Sequence, residues 1–137
     1  MGHRYKIFPE RNLLVDIMQG PVRFIDLERI YKHEIMDKNF KHVRKVLSNI
    51  VDADFQLSME EVKGFIEMMM QPDPDPSFRW AILTNTPRET ALSMILKSEI
   101  YFSNVVGVFY TLNECNRFLE ISFKSDEFED EDFIVLD

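Results

Sequence analysis

The chain has 137 residues, of which 45% are hydrophobic and 12% aromatic, and its formal net charge is −8. This composition excludes an intrinsically disordered chain, and the length suits one domain with a substantial core. Residues 124–137 hold seven acidic residues and one basic residue, which leaves a net charge of −2 for the other residues. The sequence has no basic stripe for nucleic acid and no apolar run near the roughly 18 residues of a membrane span. We therefore expect a globular domain with no nucleic-acid partner and no transmembrane segment.

Apolar runs, helical spacing and turn residues predict elements in the order ββαβαβαβα. Turn residues at 9–12 join the first two strands into a hairpin, and Gly20-Pro21 is expected to end the second strand. The predicted elements, in chain order, are strands at 5–8 and 13–18, a helix at 23–37, a strand at 46–51, a helix from 58, a strand at 80–83, a helix from 86, a strand at 105–110 and a helix from 111.

Three of the predicted helices begin at a capping box, in which a Ser or Thr is followed three residues later by Glu. A helix start that directly follows a strand-like run, repeated along the chain, is typical of α/β domains with parallel strands. We therefore predict an α/β fold with a mixed five-stranded sheet, in which an antiparallel hairpin precedes parallel strands, and about four helices. The three boxes are Ser58 with Glu61, Thr86 with Glu89, and Thr111 with Glu114.

Four segments together resemble the single-domain SpoIIAA-like proteins, which are relatives of the STAS domain. Residues 111–119, for example, are similar to the family pattern S-L-E-E-A-x-x-W-L. The resemblance covers about residues 4–120 and implies a sheet with helices packed mainly on one side. The segments that carry it are 5–15 leading to Gly20, 37–40, 51–62 and 111–119.

The resemblance implies three functional hypotheses. Relatives include protein-binding regulators, so the first hypothesis is a non-enzymatic module for protein–protein interaction. The fold is shared with lipid-carrying CRAL-TRIO domains, so the alternative is a carrier of a small apolar ligand. A carrier should have an internal cavity, for which the expected lining is Phe24, Phe65, Met69 and Leu92. The third hypothesis is a phospho-regulated switch like that of the anti-sigma antagonists.

Ser58 is the candidate phospho-acceptor. In anti-sigma antagonists the phosphorylated Ser lies where the third strand passes to the following helix, and Ser58 has a similar place. Glu60 and Glu61 would repel a phosphate there. As a plain N-cap, Ser58 should instead accept a hydrogen bond from the backbone N–H of Glu60 or Glu61.

Thr84, Asn85 and Thr86 form a candidate ligand loop, because they follow a strand and precede a helix. Ligands of open α/β sheets collect at such strand ends. The loop has no glycine that would let a phosphate approach the backbone, so a nucleotide site is not expected. The alternative interpretation of these residues is again a helix cap.

The sequence offers no catalytic or metal-binding motif, and we expect no enzyme activity, no metal and no cofactor. His33 and His42 have no partner at ligand spacing. Cys115 is the only cysteine, which excludes an internal disulfide and favours a reducing cytoplasm. A deep pocket with two convergent titratable side chains would contradict the expected absence of catalysis.

Two groups of apolar residues are candidate partner contacts. Met68 and Met70 lie at the rim of the second helix. The last segment, 122–137, is separated from the SpoIIAA-like domain at 1–121 as an acidic tail, yet it ends in four apolar residues that are costly to leave in water. We expect this end to dock as an extended strand, either on the same chain or on the second subunit of a homodimer. These four candidate contacts are Phe133, Ile134, Val135 and Leu136.

Overall fold

The computed structural model describes residues 2–69, 77–99 and 101–136. Within them, six strands form one sheet and four helices pack against it. The strands are β1 (Gly2–Phe8), β2 (Leu13–Val22), β3 (Lys45–Phe55), β4 (Arg79–Leu83), β5 (Val106–Phe109) and β6 (Ile134–Leu136). The helices are α1 (Phe24–Met36), α2 (Met59–Met69), α3 (Pro87–Ser98) and α4 (Leu112–Leu119).

The sheet has the strand order β5-β4-β3-β2-β1-β6. β1 pairs antiparallel with β2, and β2, β3, β4 and β5 are parallel to one another. The predicted mixed α/β fold is therefore confirmed. The predicted count of five strands is wrong, because β6 pairs antiparallel with the outer edge of β1. The predicted docking of the last segment as an extended strand is thus confirmed, and the surface belongs to the same chain.

Both faces of the sheet are covered. β2 lies between β1 and β3, so all six residues from Leu13 to Met18 are buried, as expected for a strand with cover on both sides. Side chains alternate between the faces, so that Leu14 and Met18 pack with α1–α3, while Leu13 packs with α4. Three helices on one face agree with the expected one-sided packing, and α4 is the exception.

The predicted end of β2 at Gly20-Pro21 is wrong, because the strand continues to Val22. β1 pairs with β2 only as far as Gln19, so Pro21 removes no hydrogen bond to β1. On the other side Pro21 pairs with Asp54 of β3. Gly20 has a φ of +78°, which a glycine adopts without steric cost.

Three phenylalanines carry the C-terminal segment onto the α4 face. Phe123, Phe128 and Phe133 are all buried. The Phe123 ring lies edge-on to Phe8, with 6.0 Å between centroids, and the Phe128 ring lies 4.9 Å from it. The backbone of Phe123 is fixed by both amide atoms of Asn116 of α4, at 2.8 and 3.0 Å. The segment after residue 121 is thus packed, whereas the division into two units at that point stays a prediction.

Basic side chains of the β1–β2 hairpin neutralise part of the acidic segment. Lys6 Nζ lies 2.8 Å from Asp130 Oδ2, and Arg11 Nη1 lies 2.7 Å from Glu127 Oε1. These contacts explain why a segment with a net charge of −6 can lie against the sheet.

Candidate functional site

A cavity of about 330 Å³ lies between the sheet and helices α1, α2 and α3. Its walls are mostly apolar. Phe65, Met69 and Leu92 line the cavity as predicted, whereas Phe24 does not. Other apolar lining residues are Leu14 and Met18 of β2, Ile30 of α1, Ile50 of β3, Ile66 of α2 and Leu96 of α3.

One corner of the cavity is polar, and neighbouring strands supply it. Asp16 of β2 and Ser48 of β3 are direct register partners, so their side chains emerge side by side on the same face. Trp80 of β4, which also lines the cavity, donates a hydrogen bond from Nε1 to Ser48 Oγ at 2.9 Å. The Ser48 hydroxyl in turn hydrogen-bonds to the Asp16 carboxylate. The parallel pairing of β2, β3 and β4 therefore builds this corner.

Helix α1 adds a second carboxyl group to the corner. Glu34 lies one turn after Ile30, on the face of α1 that packs on the sheet, and it hydrogen-bonds to Asp16. Only 5% of Asp16 and 8% of Glu34 is exposed. Burial, and then the charge on Asp16, raise the pKa of Glu34 well above its usual value. The raised pKa favours the protonated form of Glu34, which donates a hydrogen bond to Asp16.

The pKa of the Asp16 carboxyl is raised above its usual value. Burial is the main cause, and the hydrogen bonds from Glu34 and Ser48 and the charge of His3 oppose it. Asp16 Oδ1 and Glu34 Oε2 are buried and have no amide, amine or alcohol donor among the described residues. The corner is therefore rich in hydrogen-bond acceptors.

None of Asp16, Glu34 and Ser48 is among the candidate site residues that the sequence predicts. Asp16 interrupts the apolar run at 13–18. An acidic residue in a strand that is buried on both faces is the signal that indicates a functional side chain there. On α1 the helical spacing favoured Ile35, which is 39% exposed, over Glu34. This cavity thus holds two convergent titratable groups, the arrangement that would contradict the expected absence of catalysis.

Ser58 caps α2 with both halves of a capping box. Glu61 N–H donates to Ser58 Oγ at 3.1 Å, and Ser58 N–H donates to Glu61 Oε1 at 2.9 Å. The predicted cap is confirmed. Ser58 is exposed and does not line the cavity, and its role as a phospho-acceptor stays a prediction.

The Thr84–Thr86 loop differs from its predicted capping geometry. Thr86 does not cap α3; its hydroxyl donates to Glu89, and Glu89 Oε2 accepts from Phe55 N–H at 2.9 Å. Glu89 thus links the start of α3 to the end of β3. Thr84 is fully buried, whereas Asn85 is exposed. A ligand role for Thr84, Asn85 and Thr86 stays a prediction.

The Thr111 box is half confirmed. Glu114 N–H donates to Thr111 Oγ1 at 3.2 Å, as a cap requires. The Glu114 carboxylate accepts from the Thr111 hydroxyl at 2.9 Å and does not reach back to the Thr111 N–H. Helix α4 therefore starts where the sequence predicted.

The candidate partner contacts divide into buried and exposed residues. Phe133 and Leu136 are each 6% exposed, because their own chain covers them. Ile134 is 45% exposed and Val135 58% exposed, on the outer strand of the sheet. Met68 is half-buried, and Met70 lies outside the described residues. A contact with a partner stays a prediction for all of them.

The described ranges contain neither a metal-binding cluster nor a membrane-spanning helix. No group of three or more His, Cys, Asp or Glu side chains there could hold a metal ion, and His33 and His42 belong to no such group. None of the helices in those ranges is long and apolar enough to cross a membrane.

Two solved structures are similar to this chain over most of its length. One is an uncharacterised protein of the DUF3478 family with a SpoIIAA-like fold from Shewanella loihica PV-4, with a TM-score of 0.56 and 14% identity over 86% of this chain and 94% of that one. The other is the anti-sigma factor antagonist SpoIIAA in its unphosphorylated form, with a TM-score of 0.56 and 13% identity over 82% of this chain and 92% of that one. This chain has the SpoIIAA-like fold.

The SpoIIAA-like fold confirms the resemblance that the sequence segments indicated. No protein-family model matches the chain, and no curated protein matches it in sequence. At 13–14% identity the likeness carries the fold and not the ligand or partner. The function of this SpoIIAA-like domain must therefore be argued from its own cavity.

Proposed function

We propose that this SpoIIAA-like domain binds a small, largely apolar ligand in the cavity beneath α1–α3. The supporting observation is the cavity itself, which measures about 330 Å³ and has mostly apolar walls. Ligand sites in proteins begin at about this size and combine apolar walls with a few polar groups. The Asp16, Ser48 and Glu34 corner supplies such polar groups. The cavity therefore favours the hypothesis of a ligand carrier over that of a protein-interaction module.

The energetic cost of an empty cavity supports the same proposal. An unfilled apolar pocket leaves the side chains of its lining without packing partners on one side. A bound apolar ligand restores the missing contacts and stabilises the folded state.

Binding without chemical change is the simpler role for the carboxyl pair. The Glu34 proton is engaged by Asp16, and the Ser48 hydroxyl is engaged by Asp16 and Trp80. General acid–base catalysis needs groups that exchange protons with a substrate. We therefore expect the ligand to leave the cavity unaltered, and we place the domain among non-enzymatic binding proteins.

A protein partner is a second proposal, supported by a different surface. β6 is the outer strand of the sheet, and Ile134 and Val135 on it are exposed. Such an edge can pair with a strand of another protein or of a second copy. This second proposal includes a homodimer and the phosphorylation of Ser58. It also includes a cytoplasmic location, which suits a chain with one cysteine.

Native mass spectrometry tests the ligand proposal. The purified protein should carry the added mass of a small molecule, or should gain the mass of decanol after incubation with it. The released molecule should have the same mass as before binding, because the protein does not alter it. Val62→Phe should abolish this uptake because Val62 lines the cavity, whereas Val135→Phe, the matched control on exposed β6, should not. A bare chain mass before and after incubation would refute the proposal.

A further inference from the structure

The polar corner of the cavity offers acceptors and no spare donors. Asp16 and Glu34 together present four carboxyl oxygens. The donors that reach them are the Glu34 proton and the Ser48 hydroxyl. An ionised carboxylate alone accepts about four hydrogen bonds. Asp16 Oδ1 and Glu34 Oε2, both buried, also have no amide, amine or alcohol donor among the described residues.

The other polar groups of the lining do not redress this imbalance. The Ser93 hydroxyl donates to the Glu89 carbonyl at 2.8 Å, and Trp80 Nε1 donates to Ser48. Arg44 is exposed, and its Nη1 donates to the carbonyls of Lys41 and Val43. No guanidinium or ammonium of the described lining is thus placed at the carboxyl pair.

We propose that the polar end of the ligand is a hydrogen-bond donor, an amino or hydroxyl group that binds Asp16 and Glu34, and that ligands ending in a carboxylate are excluded. The proposal rests on the proposed function and names the ligand class for the same cavity. A carboxylate at this corner would bring a further negative charge and further acceptors to a carboxyl pair at which the lining places no Lys or Arg side chain, and the charge of His3, which does not line the cavity, already acts on Asp16. A donor instead satisfies buried oxygens that lack partners.

The volume of the cavity sets the size of suitable probes. A volume of 330 Å³ equals the liquid volume of about eleven water molecules. A ten-carbon chain with one polar end is therefore a reasonable match. Decanol, decylamine, decyl methyl ether and decanoate share this chain and differ at the polar end. The first two donate hydrogen bonds, the ether only accepts them, and decanoate is a carboxylate.

The single tryptophan reports binding directly. Trp80 lines the cavity and its indole contacts Ser48, so a ligand at the corner should change its fluorescence. We expect decanol and decylamine to bind at least about tenfold more tightly than the ether and decanoate, since a buried acceptor left without a donor costs about a factor of ten or more in affinity. The ratio of decanol to decylamine affinity then tells whether a hydroxyl or an amine is preferred.

Two isosteric variants locate the effect. Asp16→Asn and Glu34→Gln keep the shape of the corner and should weaken decanol and decylamine about tenfold while leaving the ether unchanged. The control is Asp52→Asn, which removes an exposed acid outside the lining. It shows how much the affinity for decylamine depends on the net charge of the protein alone. Thermal melting of each variant confirms that it is folded.

The outcomes separate this inference from the proposed function. If the ether or decanoate binds as tightly as decanol, the cavity is a ligand site but the donor inference is wrong. If decanol and decylamine bind more tightly but Asp16→Asn and Glu34→Gln change nothing, the inference is also wrong. If none of the four probes binds, the proposed function itself is overturned.

Discussion

Replacing Phe128 by Ala should destabilise the domain strongly, although Phe128 lies in a segment with the composition of a solvated acidic tail. Phe128 is 8% exposed, its ring packs 4.9 Å from that of Phe123, and its carbonyl accepts from Arg4 Nη1 at 2.6 Å. Truncating a buried Phe to Ala costs about 3–5 kcal/mol. For a chain of this size each kcal/mol lowers the melting temperature by about 3–5 °C, so we expect a decrease of about 10–20 °C.

The matched control is Val135→Ala, in the same segment. Val135 is 58% exposed, and surface substitutions of this kind change stability by less than about 0.5 kcal/mol. Calorimetry or chemical denaturation measures both variants. Equal melting temperatures for Phe128→Ala and the unchanged protein would refute the argument, because they would mean that the segment does not pack on the sheet in solution.

Truncation after Ser122 extends the same test. It removes four buried side chains, Phe123, Phe128, Phe133 and Leu136, each of which contributes about 1.5–3 kcal/mol by burial. The sum of about 6–12 kcal/mol approaches the whole stability of a domain. The truncated protein should therefore melt far lower or fail to fold. An unchanged melting temperature and size-exclusion mass would identify the segment as a solvated appendage.

Three further predictions concern single side chains. The pKa of Glu34 is raised on folding, so its contribution to the free energy of unfolding is fully present below about pH 4.5 and is lost as the pH rises toward the folded pKa. Glu34→Gln should therefore stabilise the protein more at about pH 8 than at about pH 5. Equal gains in the free energy of unfolding at both pH values, measured by urea denaturation, would contradict this. Ser58→Ala should lower stability by about 1 kcal/mol through loss of the cap and leave partner binding unchanged; a folded variant that loses binding would point to a switch. Burial raises the pKa of the Cys115 thiol to about 12, so a thiol reagent should modify it only after unfolding, and rapid reaction of the native protein would show that α4 opens readily.

Local features of the fold were predictable because a few neighbouring residues determine them. The box of Ser58 and Glu61 spans four residues and fixes the start of α2 without help from the rest of the chain. The hairpin was found for the same reason. In contrast, β3 runs to Phe55 and not to residue 51, because β2 continues past Gly20 and offers a partner for the additional residues. That pairing joins segments about 33 residues apart in the chain, which no local pattern contains.

The polar corner was missed because its meaning depends on contacts between distant segments. Glu34 and Ile35 fit the helical spacing of α1 equally well, and a propensity argument favours burying Ile35. Glu34 is buried because Asp16 faces it across the core and accepts a hydrogen bond from it. The local pattern of Thr86 and Glu89 predicts a capping box, but Glu89 accepts from the N–H of Phe55, which is 34 residues away in the chain.

The neighbouring positions of β1 and β6 have a consequence for synthesis of the protein. β1 is synthesised more than 100 residues before β6, yet His3 pairs with Leu136. Until the segment that begins at Phe123 emerges, the outer edge of β1 is open and the side of the sheet that carries Phe8 lacks part of its cover. Open strand edges and exposed apolar faces favour aggregation, and pairings between distant residues form slowly. Shielding of the growing chain by chaperones should therefore matter most until β6 has emerged and paired with β1.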